Sequence, residues 1–484
     1  MKLNVGNTSY IQVIKRVIQI FPIMLLLIII ATSCINITRQ FQPKEHIDNN
    51  TFSIDELTYI IVNNNEVQVF DCNDSATLII IPETVVYNNT TYNIIGIGTS
   101  AFQDCRILDS ISIPNSITYI KQYAFKNCSG LTSIIIPNGI NTINEAVFYG
   151  CTNLSSVVIP NSVTSIKKRA FSFCSNLSSI IIPNNVNYIG SYAFAWCDSL
   201  PSINIPNNVT YIGESAFWNC SSITSLVIPN SITTINTQAF GDCKSLTSII
   251  LPDNLTIIEN GAFRGCSSLT SIDIPNTVTH IGNGAFNGCK NLTSINIPNG
   301  ITTIGKGTFR FCSSLTSIEI PNSVTSLGKS AFGECTSLTS INIPSSVNFI
   351  GIYAFSNCTN LTSINIPEGI KEIKAGVFEK CSSLTSINIP NSVKYISRYS
   401  FNGCNSLTSI TIPKNVCRIM KYAFKNCNNL TTIKCLSKRP PKLQDSTVFS
   451  IPNNITVKVP HGSLRKYISS GWNKFFENRI VEDE

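Results

Sequence analysis

Cysteine is the residue type whose chemistry and spacing stand out in this sequence. The 484-residue chain contains 19 cysteines, and fifteen of them recur at intervals of 23 residues from Cys105 to Cys427. Thiols can form disulfides, hold metal ions or act as nucleophiles. Each thiol inside such a series has two equivalent neighbours, an odd number cannot pair completely, and no CxxC pair is present. We therefore predict a ladder of buried thiols that donate to backbone carbonyls, with disulfide bridging as the alternative and no metal site.

Other residues that could support catalysis are scarce or form regular series. The three histidines are widely separated in the sequence, at His46, His280 and His461. Serine recurs once per repeat, as at Ser133 and Ser156, which is more typical of structural hydroxyls than of a nucleophile. Asp273 and Glu319 lie two repeats apart, about 10 Å if coils stack every ~4.8 Å, which suits retaining glycoside chemistry poorly and inverting chemistry marginally. The sequence predicts no enzyme activity and no cofactor.

The same 23-residue interval organises most of the chain. Phenylalanine keeps it from Phe102 to Phe424. Within one repeat, the apolar residues of Leu131–Ile136 alternate as in a strand, and Pro137 ends that strand because it has no N–H to donate. A fixed period of this length predicts a mostly β solenoid, since a single coil cannot bury its own apolar side chains and neighbouring coils must stack.

The later part of each repeat contains two further signals. Alanine and phenylalanine stand side by side, as at Ala124-Phe125, which predicts a packed corner with the ring pointing inward. Glycine occupies one position in six repeats, and we predict a left-handed backbone conformation there. These glycines are Gly190, Gly213, Gly282, Gly305, Gly328 and Gly351.

Both ends of the chain depart from the repeat, as the caps of a solenoid do. We assign residues 97–436 to the repeat array, 56–96 to an N-terminal cap and 437–484 to a C-terminal cap. Residues 34–55 are expected to form a polar tether ahead of the N-terminal cap.

Residues 1–33 have the features of an export signal. Lys15 and Arg16 precede the apolar run Val17–Ala31, which is shorter than the roughly 20 residues that span a membrane. The following Thr32-Ser33-Cys34 is similar to a bacterial lipoprotein cleavage site, with Cys34 as the lipidated residue. An ordinary signal peptide and an uncleaved anchor are the alternatives. Export would place the protein at the cell surface or outside the cell, with membrane contact only through a lipid on Cys34.

The charge of the chain limits the classes of partner. The net charge of +8 includes Lys2, Lys15 and Arg16, so about +5 remains after cleavage of the export signal. Such a weak and dispersed charge does not match a nucleic-acid-binding surface, and we expect no nucleic-acid partner. One set of basic residues predicts a solvated edge or, alternatively, a surface for acidic partners: Lys121, Lys167, Lys168, Arg169, Lys306, Lys329, Lys374, Arg398 and Lys421.

The repeat C-x-x-L-T-S-I-x-I-P, followed by V-T-x-I-G and A-F, resembles the leucine-rich repeat of the BspA type. The resemblance is close over residues 78–436, and the end segments around Ile81-Pro82 and Val459-Pro460, with Trp472, are also similar. It implies a curved solenoid with a parallel sheet on its concave face and a cap at each end. It also implies a place on the cell surface and adhesion to host or matrix proteins or to other microbes.

The middle residue of each strand is expected to point outward from the sheet. In the N-terminal half of the array most of these residues are aliphatic, and in the C-terminal half they are polar, for example Asn296 and Asn342. An exposed aliphatic row often marks a contact surface, although strand propensity alone also selects such residues. The predicted ligand-binding residues of this row are Ile135, Val158, Ile181, Val227 and Ile250.

Aromatic residues also gather in the N-terminal half, just after the Ala-Phe corner. They are Tyr149, Phe173, Trp196 and Trp218, and we predict that they bind ligand, with packing between coils as the alternative. The sequence thus favours an exported adhesin that binds host or matrix proteins or glycans through its concave face. A structural spacer without a specific ligand is the second hypothesis.

Overall fold

Most coils of the chain contribute a first strand, a second strand and a turn to a stack of parallel coils. The computed structural model describes residues 50–449 and 455–483. The export segment and Cys34 lie outside the described residues. The first strands are Leu78–Ile80, Ser110–Ser112, Ser133–Ile135, Ser156–Val158, Ser179–Ile180, Ser225–Val227, Ser248–Ile250, Ser271–Ile272, Ser294–Ile295, Ser340–Ile341, Ser363–Ile364, Ser409–Ile412, Thr432–Cys435, Thr456–Val459 and Ile480–Glu482.

The second strands are shorter and follow the proline of each coil. They are Tyr119–Ile120, Thr142–Ile143, Ser165–Ile166, Tyr188–Ile189, Tyr211–Ile212, Thr234–Ile235, Ile257–Ile258, His280–Ile281, Thr303–Ile304, Ser326–Leu327, Phe349–Ile350, Glu372–Ile373, Tyr395–Ile396, Arg418–Ile419 and Lys442–Leu443.

The register between coils equals the sequence repeat. Ser156 pairs with Ser133 on one side and with Ser179 on the other, and Thr142 pairs with Ser165, all in parallel. Identical positions of successive coils therefore lie side by side, which confirms the mostly β solenoid of 23-residue coils.

The core is a set of side-chain columns that run through the stack. The rings from Phe102 to Phe449 form one continuous column in which neighbouring centroids lie 5.0 to 5.9 Å apart and the planes are nearly parallel. The rings are fully buried, as the Ala-Phe corner predicted. Offset stacking at this separation is a favourable arrangement for aromatic rings, so each coil completes the packing of the next.

The six glycines of the repeat serve a purpose other than the predicted one. None has a positive φ, so the prediction of a left-handed conformation was wrong. They lie where coils approach closely: a Cβ on Gly213 would be 2.4 Å from Ser191 N, and one on Gly282 would be 2.4 Å from Asn260 N. Because a side chain at these positions would collide with the preceding coil, glycine is needed for spacing.

The left-handed residues lie in the turn instead, two per coil and four residues apart. In one coil they are Tyr192 and Trp196, with φ of 59° and 63°. In another they are Gly284 and Gly288. Glycine is therefore used at these positions in some coils but is not required by the turn.

A mixed, mostly antiparallel sheet caps the N-terminal end. Its strands are Thr51–Ile54, Leu57–Asn63, Glu66–Cys72, Thr84–Tyr87 and Thr90–Ile97, and the last of these pairs in parallel with the first of the second strands. The first strand lies within the segment that we expected to be a tether. Phe52 accounts for this, because its ring is buried and stacks on Tyr87 at 4.1 Å.

Short helices cap the C-terminal end. They are Leu464–Ser469 and Asn473–Phe476, followed by the 3-10 turn Glu477–Arg479. Trp472 is buried beneath them and donates from Nε1 to the carbonyl oxygen of Pro441 at 3.0 Å. The ring of Phe476 closes the phenylalanine column edge-on, 5.3 Å from Phe449. In the described part of the chain, helices are too short or too polar to cross a membrane.

Candidate binding site

The aliphatic row lies on the first-strand face. Side chains of each first strand alternate, so that Ile134 and Ile136 are buried while Ile135 is 51% exposed. Ile135 lies beside Val158, and Val227 lies beside Ile250, in direct parallel register. The five predicted residues are all at least half exposed, and Ile250 is the most exposed at 63%.

One feature of this row was not foreseen from the sequence. Ile80 of the cap is half exposed and pairs with Ser112, so it adds an outward aliphatic residue that Ser112 separates from Ile135. Pro82 and Pro114 are 32 residues apart instead of 23, so the first coil is nine residues longer and Ile80 falls outside the 23-residue count. The row is divided at Asn204, the polar residue between Ile181 and Val227 in the same column, and Ser202–Asn204 forms no strand.

Pro201 removes a backbone donor from the same coil. In neighbouring coils the equivalent residue donates its N–H to the coil before, as Ser178 does to Ser155 and Thr224 does to Pro201. Proline has no N–H, so one rung of the ladder between coils is missing. Because Asn204 takes the outward position between them, the aliphatic row consists of two short patches, Ile135 to Ile181 and Val227 to Ile250.

The polar half of the same face is an open groove. Asn342, Asn365 and Asn388 line a groove of about 600 Å³ together with serines of the same strands. A groove of similar volume precedes it and is lined by Asp273 and Glu319. The character of the face thus changes along the array from aliphatic through acidic to amide.

Two lysines that were not predicted as site residues continue this change in character toward the C-terminal end of the face. Lys434 and Lys458 follow Thr411 in register on adjacent first strands. Lys434 forms an ion pair with Asp483 at 2.5 Å. The strand-like segments at the C-terminal end indicated these positions, but the missing proline after Cys435 left them outside the repeat. The C-terminal end of the face is therefore basic.

The four predicted aromatic residues form a contiguous cluster on the turns. Tyr149 contacts Phe173 edge-on at 5.4 Å, Phe173 stacks on Trp196 at 5.6 Å, and Trp196 contacts Trp218 edge-on at 5.4 Å. The indole N–H of Trp218 donates to Asp242 at 3.1 Å. The cluster belongs to the same coils as the aliphatic row but lies beyond the second strand, so the two sets form separate surfaces.

The backbone beneath the cluster is strained. Phe173 and Trp196 both have a φ of 63°, whereas glycine, asparagine or aspartate occupies this position in most other coils, as at Gly150 and Asn219. A bulky residue in this conformation costs energy, of order 1 kcal/mol or more, and such outliers concentrate at functional sites. Phe173 nevertheless keeps a 40% exposed ring, which favours a role for the cluster in contact with a ligand.

The cysteine ladder is confirmed except at its first member. Fourteen thiols from Cys128 to Cys427 are buried and unpaired, and each donates to a phenylalanine carbonyl of the coil before, as Cys151 does to Phe125 O at 3.0 Å. Burial raises the pKa of these thiols, for example that of Cys289 to about 12. A buried thiol with a raised pKa is a poor nucleophile and metal ligand.

Cys105 forms a disulfide with Cys72 of the N-terminal cap. The prediction of a ladder thiol was wrong here because Cys72 lies outside the repeat and supplies a partner that no other coil has. Asp74 lies beside the pair, within 4.8 Å of both sulfur atoms. Since the sulfurs are bonded to each other in this form, they are not available as thiolate ligands.

The histidines and the serine ladder lie in different places. His280 is exposed on a second strand, and His461 lies in the C-terminal cap with Nδ1 3.0 Å from Glu482. The serines of the repeat belong to first strands. The third histidine, His46, lies outside the described residues.

Comparison with known proteins identifies relatives of this array. The family model for the BspA-type leucine-rich repeat region matches residues 95–224, 212–339 and 325–447. A crystal structure of a leucine-rich repeat protein from Bacteroides ovatus is 31% identical and covers 89% of this chain and 99% of its own, with a TM-score of 0.60. A leucine-rich cell surface protein from Faecalibacterium prausnitzii is 28% identical, covers 80% and 94%, and has a TM-score of 0.44. No curated protein matches the chain.

Proposed function

The chain belongs to the BspA-type leucine-rich repeat family, and from this membership we propose that it is an exported cell-surface adhesin. It binds protein or glycan partners on host, matrix or other cells through the first-strand face, with the N-terminal half contributing most. It acts by binding rather than catalysis. Attachment is through a lipid on Cys34, the first residue after cleavage of the signal peptide at residues 1–33, which places the array outside the cell.

The single observation that supports this proposal most is the exposed aliphatic row. Isolated exposed apolar residues are common, but contiguous rows are unusual on a free surface and mark contact sites. Ile135, Val158 and Ile181 stand on three consecutive coils, each at least 50% exposed. Burial of one such side chain by a partner contributes about 1.5 to 3 kcal/mol before the costs of association.

The aromatic cluster supplies a second contact surface on the same coils. Tyrosine and tryptophan are the residues on which interfaces most often depend. Phe173 and Trp196 stack on each other, so their ring faces are partly covered. A partner would contact the ring edges of these two residues and the outer sides of Tyr149 and Trp218. A partner that wraps around these coils would touch both surfaces.

The test compares two triple variants that add the same charge to the same face. Ile135→Asp, Val158→Asp and Ile181→Asp place three carboxylates in the aliphatic row, and Asn342→Asp, Asn365→Asp and Asn388→Asp place three in the amide groove. Both are screened with the unmodified protein against immobilised matrix proteins and glycans.

We expect the first variant to lose at least about tenfold in affinity and the second to bind normally. Circular dichroism and thermal unfolding establish that both remain folded. Full binding by a folded first variant would reject this face. If the unmodified protein binds no partner in the screen, the spacer hypothesis is the better description.

A further inference from the structure

A separate groove crosses the turns of five coils on the side of the Ala-Phe corner. It has a volume of about 480 Å³ and extends from Thr237 to Ser330. Its lining residues lie between the second strand and the cysteine of their coils, so the groove does not belong to the first-strand face. It also lies outside the aromatic cluster, which ends at Trp218.

Three glycines lie along this groove. Gly261, Gly284 and Gly307 occupy the first left-handed position of three consecutive coils, with φ of 61° to 62°. Neighbouring coils have Ser215 and Gln238 at the same position, so the turn does not demand glycine. Space does not demand it at Gly284 either, where a Cβ would meet only Asn287 at 3.6 Å. The effect of the three glycines is a groove floor without side chains.

Four cations line the same groove. They are Arg264, Lys306, Arg310 and Lys329, and no lining residue is acidic. Within residues 50–449 and 455–483, none of the four takes part in an ion pair. Glu259 is close in sequence but does not line the groove. Arg310 and Lys329 also line an adjoining groove that contains Glu334 and Glu379. Within the first groove the four cations meet no carboxylate, and together they create a positive potential that favours an anionic ligand.

Two fixed amides add neutral donors to the cations. Asn260 Oδ1 accepts from Asn283 N, and Asn283 Oδ1 accepts from Lys306 N, both at 2.7 Å. These bonds orient each side chain, and its Nδ2 group donates to no other protein atom in the described structure. Each amide thus retains two donors for an oxygen atom of a ligand.

We propose that this groove binds an anionic polysaccharide, whose sulfate or carboxylate groups pair with the four cations. Sugar hydroxyls and the remaining acid oxygens accept from the amides, and the bare floor admits an unbranched chain across the coils. No aromatic residue lines the groove, so the stacking on which single-stranded nucleic acid depends is absent. This site is additional to the proposed first-strand face and does not depend on it.

The first test measures binding of the full chain to a sulfated heparin octasaccharide and to a hyaluronan octasaccharide, which carries only carboxylates. A quadruple variant, Arg264→Gln, Lys306→Gln, Arg310→Gln and Lys329→Gln, is compared with a control of equal charge on other coils. The control replaces four cations of other coils by glutamine: Lys121, Lys167, Arg398 and Lys421.

We expect the groove variant to lose at least about tenfold in affinity for whichever glycan binds, and the control to lose less than about twofold. Equal losses of glycan affinity in the groove variant and the control would show that the overall charge of the protein causes binding, and would overturn the proposed site. Absence of binding to both glycans, or equally tight and equally sensitive binding of oligothymidine, would overturn the ligand class.

A second variant tests the floor without a change in charge. Gly284→Asn adds a side chain in the groove, and asparagine tolerates the left-handed conformation, so thermal unfolding should be unchanged. We expect glycan affinity to fall by about tenfold or more because the side chain occupies the path of the ligand. Undiminished binding by this variant would contradict contact between ligand and floor.

Discussion

The thiol of Cys128 donates to the carbonyl oxygen of Phe102, 2.9 Å away in the preceding coil. The same bond joins every later coil of the array to its neighbour, as for Cys427 and Phe401 at 3.1 Å. Cysteine suits this position because it is a small apolar residue that still offers a donor. The ladder therefore satisfies a buried carbonyl in each coil while filling the space beside the phenylalanine column.

Stability should fall steeply at alkaline pH because of this ladder. Burial raises the pKa of thiols such as Cys243 and Cys335 to about 12, whereas an unfolded thiol ionises near ~8.5. Between these values the unfolded state binds fewer protons than the folded state. Stability is thus complete below about pH 8.5 and decreases as pH rises toward 12, by up to about 1.4 kcal/mol per pH unit for each thiol.

Denaturant titrations at a series of pH values between 7 and about 11 measure this dependence. A variant with four ladder cysteines replaced by alanine (Cys243, Cys289, Cys335 and Cys381) should be less stable at pH 7 but show a shallower decline. An unchanged decline in this variant would show that thiol ionisation is not its cause.

Thiol labelling of the native protein should distinguish one cysteine from the rest. Of the unpaired cysteines in the described residues, Cys417 alone is exposed. We expect Cys417→Ser to reduce the number of rapidly reacting thiols by one, since buried thiols react only when coils separate. Mass spectrometry after alkylation and digestion without reductant should recover Cys72 and Cys105 in one linked pair. Recovery of Cys105 as an alkylated free thiol would contradict the pairing.

Glycine-to-alanine substitutions should distinguish glycines that allow close contact between coils from glycines that adopt a left-handed backbone conformation. A Cβ on Gly328 would lie 2.6 Å from the backbone of Gly305 in the preceding coil. Gly328→Ala should therefore lower the free energy of unfolding by more than about 2 kcal/mol. Gly284→Ala places a Cβ in open space at a left-handed position, which Ala146 also occupies in another coil, and should cost only about 1 kcal/mol. Chemical denaturation of both variants tests this order.

Removal of one ring from the phenylalanine column should be costly at any coil. Phe263 is fully buried between Phe240 and Phe286, so Phe263→Ala should lower stability by about 3 to 5 kcal/mol. The matched surface variant is Phe311→Asn, at a left-handed position with a φ of 62° and a half-exposed ring. This variant should unfold at the same temperature as the unmodified protein or at a higher one, because asparagine relieves the strain. Similar losses of stability in Phe263→Ala and Phe311→Asn would contradict the difference between a buried ring of the column and a surface ring.

The sequence predicted those parts of the fold that recur at the same position in every 23-residue repeat. Cys128, Phe125 and Ile134 keep their spacing, so their burial and stacking followed from the repeat alone. Cys72 and Ile80 lie outside the regular spacing, and their contacts with Cys105 and Ser112 could be found only from the arrangement of the cap.

The local conformation of the turn was harder to predict than the core. Glycine at Gly213 suggested a left-handed residue, but the same residue type also permits close contact, and spacing alone does not distinguish the two causes. Phe173 and Trp196 gave no sign in the sequence of their left-handed backbone, since bulky residues rarely adopt it. The candidate aliphatic row was predictable from period-two alternation, and so was its interruption, because Asn204 occupies the outward position between Ile181 and Val227.

The equal register of all coils has a consequence for how this gene can change. Each interface between neighbours in the regular array presents the same phenylalanine rings and cysteine thiols, so loss or duplication of one whole repeat unit would rejoin surfaces that already fit. Recombination between near-identical segments would then yield shorter or longer variants that still fold, each with a different combination of outward residues. Such a chain can alter its length and the residues on its outer faces without a new fold.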